Sequence, residues 1–485
     1  MKKNLLTILS TILLLGNVSF ATTTNTTILN YDNLNGTGEF VNAKGGTMGN
    51  SNGQAFDDVK GKVYVSGDFG ENNYSNTLHT DSILKTKKFS GTIISDSPMY
   101  KITKYNDPNH NQEFKFTLTR VKFTNGIIKD KNIALYLENN YSDTHNATKN
   151  KFYNNLKTLS SLSQINSQLN TTFGTYIFPI ITKQTFDKIS ELNITALDSV
   201  SYFDTSKSVG DIVVNGNYGN TKTKVKNLDS NNDYKSSDTN MVFWVEKYAT
   251  PNLKLGTVFS FSDSSTNMKD DDTYRDDYYG SGGIYAVYND DSIIYTSILS
   301  FGGDYNHLNR YNDSSIGDFK NSSTNKNFFA GLNNSVYKEF DFDKSYITPK
   351  AELNIVGLHQ GEIIEGGNYG IDVDSENSVS VQPGLGVEVG HGFNPSPKHS
   401  FSLSAGVMNY VEVGTPYNDL DGSMNAFGNN KFKIEKYDDD IVHSKISVKE
   451  GYQYLDRFGI YLNENYTISK HQEQFEYGAN LVFIF

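Results

Sequence analysis

The sequence predicts an all-β protein dominated by a twelve-stranded antiparallel transmembrane β-barrel. A helical plug or linker and a short β-rich N-terminal domain precede the barrel. Three observations carry this reading. From residue 208 to residue 485, apolar and polar side chains alternate with period 2 over and over, the pattern of strands whose two faces meet different solvents. The polar face holds isolated charges and many glycines, which suits a wet lumen better than the outside of a soluble sandwich. The chain is hydrophilic yet rich in rings: 36% hydrophobic, 13% aromatic, with 32 Tyr and 30 Phe among 485 residues, and a mean hydropathy of −0.51. A barrel needs apolar residues only at alternate positions, so such a chain can still span lipid. The same numbers exclude other classes. No run of about 18 apolar residues occurs, so a bundle of membrane helices is excluded. The net charge of −12 argues against nucleic-acid binding, which needs a basic footprint. With no cysteine there is no disulfide framework, thiol catalysis or thiolate-bound metal.

The elements follow in chain order. Lys2 and Lys3, the apolar stretch 5–15 and Ser19-Phe20-Ala21 have the three-part form of an export signal cut between Ala21 and Thr22. Lack of cysteine fits a protein that passes through an oxidising compartment. Residues 22–147 are polar, with short apolar pulses such as Lys62-Val63-Tyr64-Val65 bounded by turn residues, which read as short strands. The run 119–128 looks like one rung of a β-solenoid, although no fixed period is present. Across residues 148–207 the period changes. Leu156, Leu159, Leu162, Ile165 and Leu169 recur at helical spacing. Pro179 is expected to end or kink this helix, and Phe186, Ile189 and Leu192 mark a second helical stretch over 183–197.

Barrel strands are expected to begin near Ile212, Met241, Leu253, Tyr279, Ile293, Phe328, Tyr346, Val379, Ser400, Ile441, Phe458 and Phe475. Ile347, Pro349, Ala351, Leu353 and Ile355 would face lipid while Thr348, Lys350, Glu352 and Asn354 face the lumen. Linkers 248–253 and 289–293 are short; 220–239, 263–278 and 306–327 are long. That asymmetry is the one expected of a barrel with short periplasmic turns and long outer loops. Asp270, Asp271, Asp272, Asp276 and Asp277 fall in the long linkers as solvated charge.

The last strand places Phe475, Tyr477, Ala479, Leu481, Phe483 and Phe485 on one face. Tyr477, Ala479, Leu481, Phe483 and Phe485 resemble the terminal signal read by the outer-membrane barrel assembly machinery. Met241-Val242-Phe243-Trp244-Val245-Glu246-Lys247-Tyr248, then Leu255-Gly256-Thr257-Val258-Phe259, then Ile347-Thr348-Pro349-Lys350-Ala351-Glu352-Leu353 and Pro383-Gly384-Leu385-Gly386 stand in an order and spacing that resemble the translocator domain of an autotransporter (type V secretion). The resemblance covers residues 208–485. It implies a twelve-stranded barrel in the bacterial outer membrane, a helix through its lumen, and an upstream passenger displayed at the cell surface or secreted. It also implies dependence on the general secretion translocon, periplasmic chaperones, the assembly machinery and outer-membrane lipid. The passenger, residues 22–147, is short for the family, which speaks against a long β-helix or a large enzyme.

On this reading Lys350, Glu352 and Glu388 point inward, either as contacts for a plug formed around residues 156–178 or simply lining a wet lumen. Some autotransporters cut themselves between two lumenal asparagines. Asn154-Asn155 is the pair here that could take that role, but chance also supplies such pairs in so Asn-rich a chain. No cofactor or metal is expected, since His-Glu-x-x-His spacing is absent. A catalytic passenger would have to draw on His79, His110 and His145, and a rim hydrolase on Asp276, Asp277 and His307; neither set has the order of a nucleophile, base and orienter. A plain porin is the stronger alternative, but it needs neither the helix nor the N-terminal domain. An Asn-, Thr- and Tyr-rich passenger suits adhesion to a host protein or glycan.

Overall fold

A computed structural model describes residues 39–42, 47–48, 55, 59, 62–65, 77–89, 91–107, 110–142, 146–200, 209–225, 233–268, 273–290, 293–312, 319–428, 430–438, 441–455 and 457–485. The signal segment, with Ala21 and Thr22, lies outside the described residues, as do His145 and Asp270, Asp271 and Asp272. The chain forms two compact units, one reaching to Ile127 and taking in Lys157–Ser161, the other comprising Ile128–Leu156 and Leu162–Phe485.

In the first unit, strands Glu39–Asn42, Lys62–Val65 and Thr92–Ser95 pair in parallel in that order. A second sheet joins Thr47–Met48, Thr77–Lys85, His110–Arg120 and Tyr100–Asp107. Val59, Val63, Val65, Leu84 and Phe116 are buried together between these strands. Residues 119–128 are not a solenoid rung. They end an antiparallel hairpin strand and then turn through Phe123–Ile127, where Gly126 adopts φ 87°, a conformation glycine takes at no steric cost.

The second unit starts with helices α1 (Lys131–Asn139), α2 (Ala147–Lys157), α3 (Leu162–Phe173) and α4 (Ile177–Val200). Asp130 Oδ1 accepts from the N–H groups of Asn132 and Ile133 at 2.9 and 3.0 Å, and Asn146 Oδ1 accepts from that of Lys149 at 3.0 Å. Each thereby satisfies donors that a helix start leaves free. Pro179 neither ends nor kinks a helix. It sits in the first turn of α4, where its missing N–H would have had no helical partner.

The barrel follows as β1 (Ile212–Val225), β2 (Tyr234–Thr250), β3 (Leu253–Met268), β4 (Tyr274–Asn289), β5 (Ile294–Asn312), β6 (Phe319–Tyr337), β7 (Ser345–Gln360), β8 (Glu376–Ser396), β9 (His399–Val411), β10 (Val442–Tyr454), β11 (Phe458–Ser469) and β12 (Gln472–Ile484). Each strand pairs antiparallel with the next, and β12 pairs with β1 from Gln472↔Val225 to Ile484↔Val213. The cylinder is closed, so no edge leaves backbone groups unpaired, the condition for crossing lipid with strands. No helix among the described residues is long and apolar enough to cross a membrane. The outer face carries Met241, Phe243 and Val245 on β2, Leu255, Phe259 and Phe261 on β3, and Leu385, Val387 and Val389 on β8, all exposed.

The strands are longer than about 10 residues, the length that crosses the hydrocarbon. Segments 220–239, 263–278 and 306–327, expected to be loops, are mostly strand. On β2, Lys235, Ser237 and Thr239 face out, while Asp238 and Asn240 face in. Both faces are polar there, so no hydrophobic alternation announces a strand, although the backbone ladder simply continues.

Beyond the barrel, Ile363–Ile364, Ile371–Val373, Leu420–Met424 and Phe432–Ile434 form a small antiparallel sheet. They belong to the β7–β8 and β9–β10 connections, at the long-loop end. Helices α1 to α3 pack on this sheet through rings: Tyr136 and Phe173 lie 5.0 and 5.2 Å from Phe432, and Phe152 lies 5.3 Å from Phe427. The result is a cap at that end.

Candidate functional site

The lumen is occupied by α4. Its 24 residues span about 36 Å at 1.5 Å per residue, comparable with the roughly 30 Å hydrocarbon core. Near its start, Thr182 Oγ1 donates to Gln360 Oε1 of β7 at 2.5 Å, and Lys183 donates to Gln472 of β12. From β4, Arg275 donates to Gln184 Oε1 at 2.7 Å and to Thr185 Oγ1 at 3.2 Å. Midway, Lys188 Nζ meets Asp238 of β2 at 2.7 Å and Glu191 at 2.8 Å. Glu191 also accepts from Asn240 at 2.5 Å and from Gln474 at 3.0 Å. Near the end, Asp198 accepts from Lys350 of β7 at 2.7 Å and from Lys445 of β10 at 2.8 Å. The helix thus bonds strands on several sides of the wall, through side chains spread along its length.

The last turns change character. Leu192, Ala196, Leu197 and Val200 pack on Val213, Trp244, Tyr248, Tyr285, Val287 and Ile298, an apolar seal at the short-turn end. At the opposite end a buried ion pair fixes the α3–α4 junction. Arg310 of β5 donates Nε and Nη2 to Glu365 at 3.0 and 2.5 Å, and Nη1 to the carbonyls of Thr171 and Thr172 at 2.9 and 2.7 Å. Those carbonyls have no helical donor at the end of α3. The fork geometry of Arg serves both tasks at once. One side of the lumen is not filled: a cavity of about 90 Å³ lies beside α4, lined by Ser190, Gln382, Glu412, Lys445, Gln474 and Glu476.

Two three-strand clamps stiffen the wall. Tyr285 of β4 lies over Gly256 of β3 and donates to Glu246 of β2 at 2.5 Å. Tyr410 of β9 lies over Gly384 of β8 and donates to Glu352 of β7 at 2.7 Å. In each, the glycine supplies the space the ring occupies.

These bonds place the residues singled out in the sequence. Lys350 reaches α4 through Asp198 and also holds Glu352 at 2.6 Å. Glu352 stays in the wall under Tyr410. Glu388 accepts from Tyr346 at 3.2 Å and pairs with Lys449 at 3.5 Å, also within the wall. The lumenal helix is 177–200, not 156–178; α2 and α3 belong to the cap. The helical period of Leu156 to Leu169 reports burial, and here the burying partner is the aromatic cap. Asn154 and Asn155 lie on α2, and α4 contains no Asn-Asn pair. Tyr477, Leu481, Phe483 and Phe485 are exposed on the outward face, with Ala479 between them. Asp276 faces outward opposite His307, whereas Asp277 is buried inward against Arg275 at 2.6 Å; the three do not converge. His79 and His110 lie on separate first-unit strands, Thr77–Lys85 and His110–Arg120. No group of three or more His, Asp or Glu that could hold a metal occurs among the described residues.

Sequence reasoning missed Arg310, Glu365 and Lys188. A lone Arg in a polar stretch carries no periodic signal; only strand pairing brings it to the α3–α4 junction.

The family model described as the autotransporter beta-domain matches residues 213–463. No curated protein matches the chain. Among solved structures, the chain is similar to the translocator domain of autotransporter NalP from Neisseria meningitidis, at 11% identity over 62% of this chain and 96% of that one, with a TM-score of 0.49. It is similar too to the beta domain of the Bordetella autotransporter BrkA, at 10% identity over 57% and 99%, with a TM-score of 0.42. A third is the transport unit of autotransporter AIDA-I from Escherichia coli, at 10% identity over 60% and 95%, with a TM-score of 0.38. The family match covers more than half of the chain and falls on the closed cylinder that α4 threads. The chain belongs to the autotransporter family, and its barrel is an outer-membrane translocator domain.

Proposed function

We propose that this protein carries its own N-terminal segment through the barrel and displays it, uncut, at the cell surface. The observation that supports this is the direction of α4. Its N-terminus bonds the long-loop ends of β7 and β12, and its C-terminus packs at the short-turn end, beside the start of β1. A chain running this way, with long loops outside, has its upstream part on the outer side. Assembly of the cap and folding of the passenger beyond it would make return unfavourable, and so drive export without a nucleotide. Delivery would use the general secretion translocon, periplasmic chaperones and the barrel assembly machinery. The Asn-, Thr- and Tyr-rich passenger fits adhesion to a protein or glycan surface, with no part for catalysis or nucleic acid.

Protease shaving of intact cells tests the reading, with antibodies to residues 22–147 and to the C-terminal half. The passenger epitope should vanish from intact cells while a heat-modifiable barrel fragment persists. A passenger cut only after the outer membrane is permeabilised would refute display.

A further inference from the structure

Several buried polar atoms of the wall have no hydrogen-bond partner, and at two facing amides both atoms are unpaired. Asn333 of β6 and Asn354 of β7 stand directly opposite each other and are 0% and 2% exposed. Neither atom of either amide has a hydrogen-bond partner. They sit between the level of Gly331, which Asn193 of α4 approaches so closely that a Cβ there would lie 2.9 Å from its Nδ2, and the level of Lys350, which binds Asp198. Asn193 Nδ2 lacks a partner as well. An amide buried without bonds is destabilising, and leucine, with its similar volume, would avoid that cost. Higher in the same wall Asn306, Asn325 and Asn327 bond one another and Asp304, so the strands can satisfy asparagines where geometry allows.

Side chains that the resting packing leaves unserved are suited to another occupant of the lumen. We infer that Asn333 and Asn354 form a contact point for the main chain of the passenger while it passes in extended form. The inference rests on the translocation reading above. A carboxamide offers one donor face and one acceptor face without charge, and so complements an extended backbone, whose N–H and C=O groups are all unpaired. It does so whatever the passing sequence. A lysine or glutamate would hold oppositely charged residues, and a leucine would offer the backbone nothing.

The test is the full-length Asn333→Leu/Asn354→Leu chain, followed by pulse-chase shaving for passenger arrival and by heat modifiability for the barrel. Passenger arrival should slow by about fivefold, as expected for losing one hydrogen bond of roughly 1 kcal/mol at the limiting step, while the barrel resists heat at least as well as the parent. Arrival at the parental rate would overturn the inference. So would a less heat-resistant barrel whose folded fraction exports normally, because the amides would then be structural. If the passenger of the parent chain never reaches the surface, the translocation reading itself is at fault, and this inference falls with it.

Discussion

At Gly384 the barrel wall has no room for a methyl group: a Cβ would lie 2.5 Å from the Tyr410 ring. Gly384→Ala should push the ring aside and break its bond to Glu352, at a cost of about 1–3 kcal/mol. The check is an earlier midpoint in heat modifiability; an unchanged midpoint would show that the clamp contributes little. Tyr136, in the cap and outside the membrane, allows a pH test. Burial pushes its hydroxyl up from 10.0 to about 12, and the N–H of Met424 donated to it opposes this. The neutral hydroxyl is favoured in the folded cap, so its contribution is complete below pH 10 and is lost as pH rises through 12. Tyr136→Phe should therefore loosen the cap near neutral pH, by removing the acceptor, and become the tighter of the two at strongly alkaline pH. Proteolysis within residues 131–173 across pH reads the crossover, and parallel curves would refute it. At this scale the sequence is informative about direction only. Alternation places Lys350, Glu352 and Glu388 inward, but which of them touches α4 depends on neighbouring strands that the sequence does not reveal.

The elements were legible where their two faces differ. Seven of the twelve expected strand starts fall within one residue of those found; the other five, on β2, β4, β6, β8 and β12, were expected three to nine residues late. All five begin at the long-loop end, where strands rise past the lipid and are polar on both faces. Pro179 misled for a different reason: proline signals a boundary, and that boundary is a start as well as an end. The identity of the lumenal helix bears on conductance. Deleting residues 177–200 should open the pore and raise single-channel conductance several-fold, whereas deleting only part of α3 should not. Lys188→Met is a milder version of the same test. It leaves Glu191 and Asp238 buried without their cation, a loss that costs about 3–5 kcal/mol where a buried pair is broken, and should produce brief openings in planar bilayers. A pore already large and indifferent to both changes would mean that α4 does not block it and would favour a channel function.

For the whole molecule the question is whether the mature chain stays in one piece. Cleavage at an asparagine needs its side-chain nitrogen to reach its own carbonyl carbon. In a helix that carbonyl accepts a hydrogen bond and is held away from the amide. Asn154 and Asn155 lie in the last turn of α2, and α2 is held in the cap by Phe152, whose ring meets those of Phe173 and Phe427. Scission there would require the cap to come apart first, after which the barrel would lose the helices that close its outer end. The expected outcome is a single mature polypeptide in outer-membrane fractions, unchanged in mass by Asn154→Ala/Asn155→Ala. Intact-mass spectrometry decides it. A barrel fragment beginning at Asn155, lost in the double variant, would show that the cap opens and that display is transient. In the undivided chain Arg310, which joins Glu365 to the carbonyls of Thr171 and Thr172, would hold the α3–α4 junction to the barrel wall. Arg310→Ala should then increase protease cutting near residue 174 without reducing the amount of folded barrel.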